Sequence, residues 1–304
     1  MGRIVVIGSI NMDIVSIMDR LPKPGETVFG KELQYIPGGK GANQAVAACR
    51  LGGKVEMIGR VGSDEFGQAL RNFLKGEGIG IKKVNYTKGT PTGTAMVWIN
   101  GSSQNSIVVM SGSNGKVTER DAIDLGLKED DIVVSQFEIP NDTIFAAFKE
   151  AKSKGARTVL NLAPAVNCPS ELLALADYMI LNEHEAAFFS GSELAGDLDT
   201  VKRYAKKLQT RADQAVIITM GAEGAFCGRG AEEVRVEGVK VNAVDTTAAG
   251  DCFTGAFAVA LSEHKSLTDS LGFANRAAAI SVQRIGASSS LPTRKEMDVA
   301  IGKP

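Results

Sequence analysis

The segment Arg3-Ile4-Val5-Val6-Ile7-Gly8, near the start of the chain, is a continuous apolar run rich in β-branched residues. Such a run predicts a strand buried on both faces of a parallel sheet. Four similar runs recur along the chain, at 131–137, 158–161, 178–181 and 215–220. Helical patterns alternate with them, as at 141–154 and 200–208. This alternation predicts an α/β fold with a doubly wound, mainly parallel sheet flanked by helices, whose ligand site lies at the carboxyl ends of the strands.

Two segments break this alternation and predict a second, smaller β-sheet. Residues 14–36 contain two prolines, and residues 92–110 alternate partly between apolar and polar around the turn Asn100-Gly101-Ser102, as in a hairpin. A hairpin needs another layer to cover its apolar face. We therefore expect a single α/β domain over residues 1–304, with a discontinuous β lid built from the two segments and able to pair with a second subunit.

The composition is that of an ordinary globular protein and excludes some classes of partner. Of the 304 residues 44% are hydrophobic and 23% charged, which argues against disorder, collagen and coiled coil. Lys and Arg number 34 against 35 Asp and Glu, a formal net charge of −1, which argues against general binding to nucleic acid or to anionic membranes. No apolar run approaches the roughly 18 residues of a membrane-spanning helix, and the first residues read as a strand without a cleavable signal. We expect a soluble, cytoplasmic protein.

Cysteine and histidine usage limits the chemistry. Cys49, Cys168, Cys227 and Cys252 lie far apart and form no C-x-x-C pair, a pattern that favours free thiols in a reducing compartment over a zinc ribbon or a thioredoxin-like site. The two histidines belong to no H-E-x-x-H motif, so hydrolytic zinc chemistry lacks its ligands. The chemistry must therefore rest on carboxylates, amides and the backbone.

Polar residues follow four of the predicted strands. They are Asn11 and Asp13, Glu138, the run Asn182 to Glu185, and the run Thr219 to Gly221. Each of them alone is explained more simply as a helix cap or a turn former. Four such groups at one edge of a parallel sheet favour a ligand site instead.

A glycine-rich segment, Pro37-Gly38-Gly39-Lys40-Gly41-Ala42-Asn43-Gln44, precedes a predicted helix of small residues at 45–51. Glycines there let a ligand touch backbone amides at a helix N-terminus. The segment is not a Walker A loop, because position 34 is Gln and position 41 is Gly. The G-x-G-x-x-G fingerprint is also absent after the first strand, which removes the main support for an NAD-dependent dehydrogenase.

The segment 241–253 carries the strongest signal for phosphoryl chemistry. Ala248, Ala249 and Gly250 have no bulk, so three or four successive N–H groups can converge on an anion at the start of the following helix. Asp251 lies in the first turn of that helix, where the simpler interpretation is a carboxylate that offsets the helix dipole. The adjacent run of small residues favours a ligand that approaches closely.

Four segments resemble, in order, the two signature regions of the ribokinase (PfkB-type) family of carbohydrate kinases. They are GSINMD at 8–13, PGETV at 24–28, GGKGAN at 38–43 and DTTAAGD at 245–251. The resemblance covers nearly the whole chain. It implies an α/β fold with a small β lid, a homodimer formed through that lid, and ATP-dependent phosphorylation of D-ribose at O5 to give D-ribose 5-phosphate.

The resemblance also implies roles for individual residues. Asp251 would be the catalytic base, and the backbone of Ala248, Ala249 and Gly250 the anion hole. The sugar hydroxyls would be held by Asn11, Asp13, Gly39, Lys40, Gly41, Ala42, Asn43, Glu138 and Asp251. For Lys40 the alternative is a solvated surface lysine.

The same resemblance implies where the nucleotide and two cations bind. Asn182 and Glu185 would act on Mg²⁺ and phosphate, and Asn275 would contact the adenine. The nucleotide loop would comprise Thr219, Gly221, Ala222, Glu223 and Gly224, with Gly250 at the phosphates. A K⁺ ion would be held, largely through carbonyls, by Asp245, Thr247, Ser281, Arg284, Gly286 and Ser290. The chain departs from the family at Ala248, where many relatives have Gly, and at Cys252, where Thr is common.

Two alternatives for the activity stay open at this point. One is another sugar or nucleoside kinase of the same fold, acting on deoxyribose, fructose or adenosine. The other is a non-catalytic sensor of sugar or nucleotide, against which the intact Asp251 and small-residue run argue. The expected partners are a small sugar and ATP, with no nucleic acid and no membrane.

Overall fold

The apolar run at the start of the chain forms strand β1 (Ile4–Ile7), which lies inside a nine-stranded sheet. The computed structural model describes residues 1–101, 105–194 and 196–301. The other strands of this sheet are β4 (Val55–Gly62), β5 (Gly80–Thr87), β8 (Ile132–Gln136), β9 (Arg157–Asn161), β10 (Tyr178–Asn182), β11 (Ala215–Thr219), β12 (Ala225–Arg229) and β13 (Glu232–Val236). Their order is β13-β12-β11-β10-β9-β8-β1-β4-β5, and only β12 and β13 run antiparallel to their neighbours among the strands described. The predicted doubly wound, mainly parallel sheet is confirmed.

Helices cover both faces of this sheet. They are α1 (Lys40–Arg50), α2 (Glu65–Gly76), α3 (Asn141–Ser153), α4 (Ser170–Leu175), α5 (Glu183–Ser190), α6 (Leu198–Leu208), α7 (Ala249–Ser262), α8 (Leu267–Ser281) and α9 (Arg294–Ile301). Ile4 and Val6 of β1 pack into an apolar core with α1, α7 and α8, whereas Val5 and Ile7 pack on the opposite face with α3 and α6. Each fully buried aliphatic side chain of this kind contributes about 1.5–3 kcal/mol.

A separate four-stranded sheet forms a lid beside the carboxyl ends of the parallel strands. Its strands are β2 (Asn11–Ile17), β3 (Glu32–Gly38), β6 (Gly93–Ile99) and β7 (Asn105–Met110), in the order β3-β2-β6-β7. The expected hairpin is present as the antiparallel pair β6 and β7, although Ser102 of its predicted turn lies outside the described residues. No helix in the described parts of the chain combines the length and apolarity needed to cross a bilayer.

Two boundaries differ from the prediction in a way that matters for the site. Strand β2 begins at Asn11, so the two polar residues assigned to the end of the first strand belong to the lid sheet instead. Helix α1 begins at Lys40 and not at residue 45, because Gly39, with φ +89°, ends the extended backbone of β3 directly before it. The second half of the glycine-rich segment, from Lys40 onward, is therefore already the start of helix α1.

Candidate active site

The predicted sugar residues meet where β1 and β8 end, between the lid and the N-termini of α1 and α7. Asn11 and Asp13 come from β2, Asn43 from α1, Glu138 from the segment after β8, and Asp251 from the first turn of α7. Asn43 Nδ2 donates to Asp251 Oδ2 over 3.1 Å. This contact joins two residues that are 208 positions apart in the chain. Of the four predicted groups, Glu138 thus comes to this site from a strand end, and Asn11 and Asp13 come to it from the lid.

Asp251 is the most constrained carboxylate of this site. It is only 6% exposed, and its two oxygens accept hydrogen bonds from Asn43 and Gln44, at 3.1 and 3.0 Å. Burial raises the pKa of the Asp251 carboxyl, while the nearby Lys40 ammonium and the two amide donors oppose that rise. The site therefore contains a buried carboxylate whose charged form has dedicated partners.

Two buried polar atoms of the site lack a partner within the described protein. They are Oδ1 of Asp13 and Oδ1 of Asn43. A buried polar atom left unpaired costs about 1–3 kcal/mol, so both atoms fit a ligand rich in hydroxyl groups. Burial, with help from Glu138 and Asp251, raises the pKa of Asp13 to about 7.

Lys40 belongs to the same group of charges. Its pKa is raised: burial lowers it, but the carboxylates of Asp251, Glu138 and Glu185 outweigh that effect. Its backbone N–H also donates to Glu138 Oε2 at 3.2 Å. A partly buried ammonium among three carboxylates argues against the alternative of a solvated surface lysine.

Two residues that orient the predicted sugar-binding side chains were not themselves predicted from the sequence. Asn114 Nδ2 donates to Asn11 Oδ1 at 2.6 Å, which leaves Nδ2 of Asn11 as the donor available to a ligand. Ser9 Oγ donates to Glu138 Oε2 at 2.6 Å. Ser9 lies inside the quoted motif and could have been selected, whereas Asn114 follows the hairpin and carries no local signal.

The start of α7 has the backbone form of an anion pocket. Ala248 adopts the left-handed conformation, with φ +58° and ψ +12°, directly before the helix. A left-handed residue followed by helical ones turns successive N–H groups toward one point. Ala249 N–H, however, donates to Thr246 O at 3.2 Å. The expected set of three or four amides is therefore reduced, because a turn before the helix uses the first of them, and Gly250 and Asp251 supply the next two.

Cys252, the residue after Asp251, is packed in the core. Cys252 is fully buried, and burial raises its pKa to about 12. A buried thiol in this state is inert, since the thiolate is the reactive form. Among the two interpretations of this residue, the structure favours the packed and unreactive cysteine.

A cavity of about 400 Å³ adjoins the start of α7 and contains most of the predicted nucleotide residues. It is lined by Thr219, Gly221, Ala222, Gly224, Val239, Lys240, Val241, Ala243, Thr246, Ala249, Gly250, Phe253, Asn275, Ala278, Ala279 and Val282. Asn275 is held there by a hydrogen bond from its Nδ2 to Glu237 O at 2.7 Å. Glu223 does not line the cavity; it is exposed and lies 3.7 Å from Arg235. A larger cavity of about 660 Å³ lies alongside, between β13, α8 and α9.

Gly224 shows why glycine is required in this loop. Its φ is +95°, and a Cβ there would lie 2.1 Å from the carbonyl oxygen of Val236. Gly221, with φ +52°, has open space around the same position. The backbone at Gly221 and Gly224 therefore has conformations that favour glycine.

Asn182 and Glu185 form a reciprocal cap at the start of α5. Glu185 N–H donates to Asn182 Oδ1, and Asn182 N–H donates to Glu185 Oε2, both at 2.9 Å. Burial raises the pKa of Glu185, although the cap and Lys40 lower it. These residues act as the helix cap that their spacing indicates, and the electrostatic contact with Lys40 also places Glu185 at the site.

The residues expected around a monovalent cation lie on two loops that meet. Asp245 Oδ2 accepts from Gly286 N–H at 2.8 Å, and Asp245 Oδ1 accepts from Thr247 N–H at 2.9 Å. The hydroxyls of Ser281 and Ser290 donate to carbonyls of their own turns, at 2.8 and 2.9 Å. The guanidinium of Arg284 pairs with Glu296 and leaves its backbone carbonyl as the oxygen expected near a cation. The donors left for a cation are oxygen atoms, which suits a hard ion.

The chain is similar to known carbohydrate kinases over nearly its whole length. Residues 1–294 match the pattern of the pfkB family carbohydrate kinases. A ribokinase of Haemophilus influenzae is 42% identical over 295 residues, which is 96% of each chain. A deoxyribokinase of Salmonella typhi is 33% identical over 97% of each chain.

Solved structures give the same result. A ribokinase from Thermotoga maritima aligns over 100% of both chains with a TM-score of 0.89 and 36% identity. An Arabidopsis thaliana ribokinase, solved as a complex with ribose and ATP, aligns over 100% of both chains with a TM-score of 0.90 and 32% identity. The predicted fold class, with its lid, agrees with these structures throughout.

Proposed function

The chain belongs to the pfkB family of carbohydrate kinases, and we propose that it transfers the γ-phosphoryl group of ATP to the 5-hydroxyl of D-ribose, giving D-ribose 5-phosphate. The observation that carries this proposal is the buried Asp251 carboxylate at the N-terminus of α7, with the unpaired Oδ1 of Asn43 beside it. The full-length likeness to ribokinases supports ribose as the acceptor.

Asp251 acts as the general base. Its carboxylate accepts the proton of the 5-hydroxyl while the bond from O5 to the γ-phosphorus forms and the bond to the departing ADP breaks. Such proton transfer contributes about 10²–10⁴-fold to a rate. In phosphoryl transfer the remaining task of the protein is to position groups and to neutralise charge.

The sugar is held by matched donors and acceptors. Asn11 offers its Nδ2, because Asn114 occupies its Oδ1. Asp13 and Asn43 each offer a buried Oδ1 that sugar hydroxyls can satisfy. Glu138 and Lys40, beside the amides of 39–42 at the start of α1, complete the set. This arrangement favours a ligand with adjacent hydroxyls over an apolar one.

The transferring phosphoryl group binds at the start of α7. The left-handed Ala248 and the amides of Gly250 and Asp251 aim the positive end of the helix at it. A Cβ built on Gly250 would meet nothing within 4 Å, so the backbone there is open to close approach. These amides stabilise negative charge in the transition state.

ATP occupies the cavity of about 400 Å³, with its phosphates toward Gly250 and its adenine near Asn275. The volume and the largely apolar lining suit a nucleotide base. Thr219, Gly221, Ala222 and Gly224 form the loop along one wall.

Magnesium and potassium ions fit the donors at two places. Asn182 and Glu185 would serve a magnesium ion, because such an ion keeps most of its water and phosphate oxygens and needs few carboxylates. A magnesium ion supplies neutralisation of phosphate charge when bound. The loops joined by Asp245 and Gly286 would hold potassium through their oxygen atoms.

A homodimer through the lid is supported by the face of the lid that carries Asp13. Residues paired across neighbouring strands lie on the same face of a sheet. Asp13 pairs with Ala95, and Ala95 pairs with Val109, so these three residues form a row on one face of the lid. Val109 and Ile107, on this face, are 50% and 54% exposed. A second lid would cover this apolar surface.

We also propose a cytoplasmic location, because the four cysteines are unpaired, as is usual in a reducing compartment.

The test is a coupled ADP-release assay over ribose, deoxyribose, fructose and adenosine, with and without K⁺. We expect ribose to give the highest kcat/KM and the activity to rise with K⁺. Faster turnover of deoxyribose would favour the second candidate, which the 33% identical deoxyribokinase supports. Binding of ribose and ATP without ADP release would show a sensor and overturn the kinase proposal.

A further inference from the structure

A chain of buried amides leads from the ends of two sheet strands to the base. Gln44 Nε2 donates both to Asp251 Oδ1 at 3.0 Å and to Asn161 Oδ1 at 3.1 Å. Gln136 Nε2, at the end of β8, donates to Gln44 Oε1 at 2.7 Å. Gln44 and Gln136 are fully buried, and Asn161 is nearly so. The Gln44 side chain is not exposed to solvent, and it does not line the cavity assigned to the nucleotide.

The orientation of each amide in this chain follows from its neighbours. Asn161 Nδ2 donates to the carbonyl oxygen of Ile180 at 3.0 Å, so its Oδ1 must accept. A carboxylate can only accept as well, so Gln44 presents its NH₂ group to both Asn161 and Asp251. Its carbonyl oxygen is then left for Gln136. This arrangement satisfies the amides of Gln44 and Asn161 and ends on Asp251, while Oε1 of Gln136 has no partner within the described protein.

The backbone around this chain leaves room for it at Gly8, the first residue of the quoted GSINMD segment. A Cβ on Gly8 would lie 2.1 Å from Gln136 Oε1 and 2.9 Å from the Cα of Gly41. Any other residue at position 8 would displace the Gln136 amide or the start of α1. Glycine at position 8 therefore leaves the space that the Gln136 amide occupies.

We propose that Gln44 is a positioning residue for phosphoryl transfer. Anchored by Gln136 and Asn161, its amide holds Oδ1 of Asp251, so that Oδ2 keeps a lone pair for the proton of the sugar hydroxyl. This inference rests on the proposed function, since it assigns Gln44 a part in the same reaction. It differs from the sugar-binding roles because Gln44 acts through Asp251 and touches no reacting atom.

The charge around Asp251 makes such support necessary. Four charged groups face it from the surrounding elements: Lys40, Glu138, Asp13 and Glu185. Only Lys40 among them favours the ionised carboxylate, and the other three are acids that oppose it. Neutral amide donors add stabilisation of the charged form without adding a positive charge that would compete for the phosphate.

The experiment compares Gln44→Leu with wild type in steady-state kinetics between pH 5.5 and 9. We expect kcat to fall about 10–100-fold, the range for loss of a hydrogen bond to a charged group. KM for ribose and for ATP should stay within about 3-fold, and the acidic limb of the kcat profile should move up by about one pH unit. A rise in KM with unchanged kcat, or an unmoved acidic limb, would overturn the proposal.

A matched control is Gln214→Leu. Gln214 is also a fully buried glutamine, and its amide bonds to the carbonyls of Leu173 and Ala176 far from the site. It should lower thermal stability while leaving the pH profile unmoved. An equal shift of the acidic limb in this control would show a general structural effect and overturn the role of Gln44.

A second variant covers the case in which Gln44→Leu does not fold. Gln136→Leu removes the anchor of the Gln44 amide and should lower kcat about 3–10-fold with the same split between kcat and KM. An unchanged kcat in a folded Gln136→Leu variant would contradict the positioning role of Gln44. If the wild-type protein itself releases no ADP with ribose, the proposed function fails. That outcome is distinct from a failure of the positioning role of Gln44.

Discussion

Asn43 donates its Nδ2 to Asp251 Oδ2 at 3.1 Å while its own Oδ1, also buried, has no partner in the described structure. One amide therefore joins the proposed base to an acceptor proposed for a sugar hydroxyl. Replacing Asp251 by Asn keeps the shape of this arrangement but removes the proton acceptor. We expect Asp251→Asn to lower kcat by at least about 10²-fold with little change in ribose affinity.

This prediction is checked by ADP release together with titration calorimetry of ribose. Glu185→Gln is a useful comparison, because it alters a carboxylate of the same site that is not the proposed base. An Asp251→Asn protein as active as wild type would contradict the role of Asp251 as general base. It would also contradict the proposal that the reaction takes place at the N-terminus of α7.

Asn114 provides a second test, directed at sugar binding alone. It accepts from Ile10 N–H at 2.9 Å and donates to Asn11 Oδ1 at 2.6 Å, so it sets which edge of Asn11 faces the ligand. We expect Asn114→Ala to free Asn11 to rotate and to weaken ribose binding about 3–10-fold, the worth of one ordinary hydrogen bond. The affinity for ATP should not change.

The measurement is calorimetric titration with each ligand. Asn85→Ala serves as the control, since Asn85 makes a partly buried bond to Asp121 away from the site. Equal losses of ribose and ATP affinity in Asn114→Ala would mean that the whole domain, and not Asn11, is disturbed.

The sequence alone predicts part of the fold and part of the site. The β1 run and the helical patterns have a clear period, and the structure confirms the sheet that they predict. Strand β5 (Gly80–Thr87) was not predicted, because its polar residues at the sheet edge hide the apolar pattern. Gln44 lies within the quoted glycine-rich segment, yet its role depends on Asn161, 117 positions away. Contacts of that kind become visible only when the strand ends are brought together.

Ala248 makes a prediction about stability. It holds φ +58°, a conformation that costs a residue with a Cβ about 1–2 kcal/mol and costs glycine little. Glycine also makes the unfolded chain more flexible, which offsets about 0.4–1 kcal/mol. We therefore expect Ala248→Gly to leave stability unchanged or raise it by up to about 1.6 kcal/mol.

Thermal and urea unfolding measure this effect. The matched control is Ala249→Gly, the next residue, which starts helix α7 with no positive φ. It should destabilise by roughly 0.5–1 kcal/mol, the usual cost of glycine within a helix. If both substitutions destabilise equally, the left-handed conformation of Ala248 carries no penalty.

Asp13 predicts how stability depends on pH in the absence of ligand. Burial and the neighbouring carboxylates of Glu138 and Asp251 raise its pKa to about 7 in the folded protein, from 3.8 in the unfolded chain. The folded state therefore binds the proton more tightly, so stability is highest below pH 4 as far as this group is concerned and falls as pH rises toward 7. Carboxylates with lowered pKa, such as Asp64, act in the opposite sense but only at more acidic pH.

Melting temperatures of ligand-free protein between pH 5 and 8 test this expectation, with Asp13→Asn as the comparison. The variant should melt higher than wild type at pH 8, should lose part of the slope between pH 5 and 7, and should bind ribose at least about 10-fold more weakly. Higher stability with weaker binding is the expected cost of a buried acid kept for its ligand. A variant that melts lower than wild type at pH 8 would show that the Asp13 carboxylate is satisfied within the protein and is not held ready for a sugar hydroxyl.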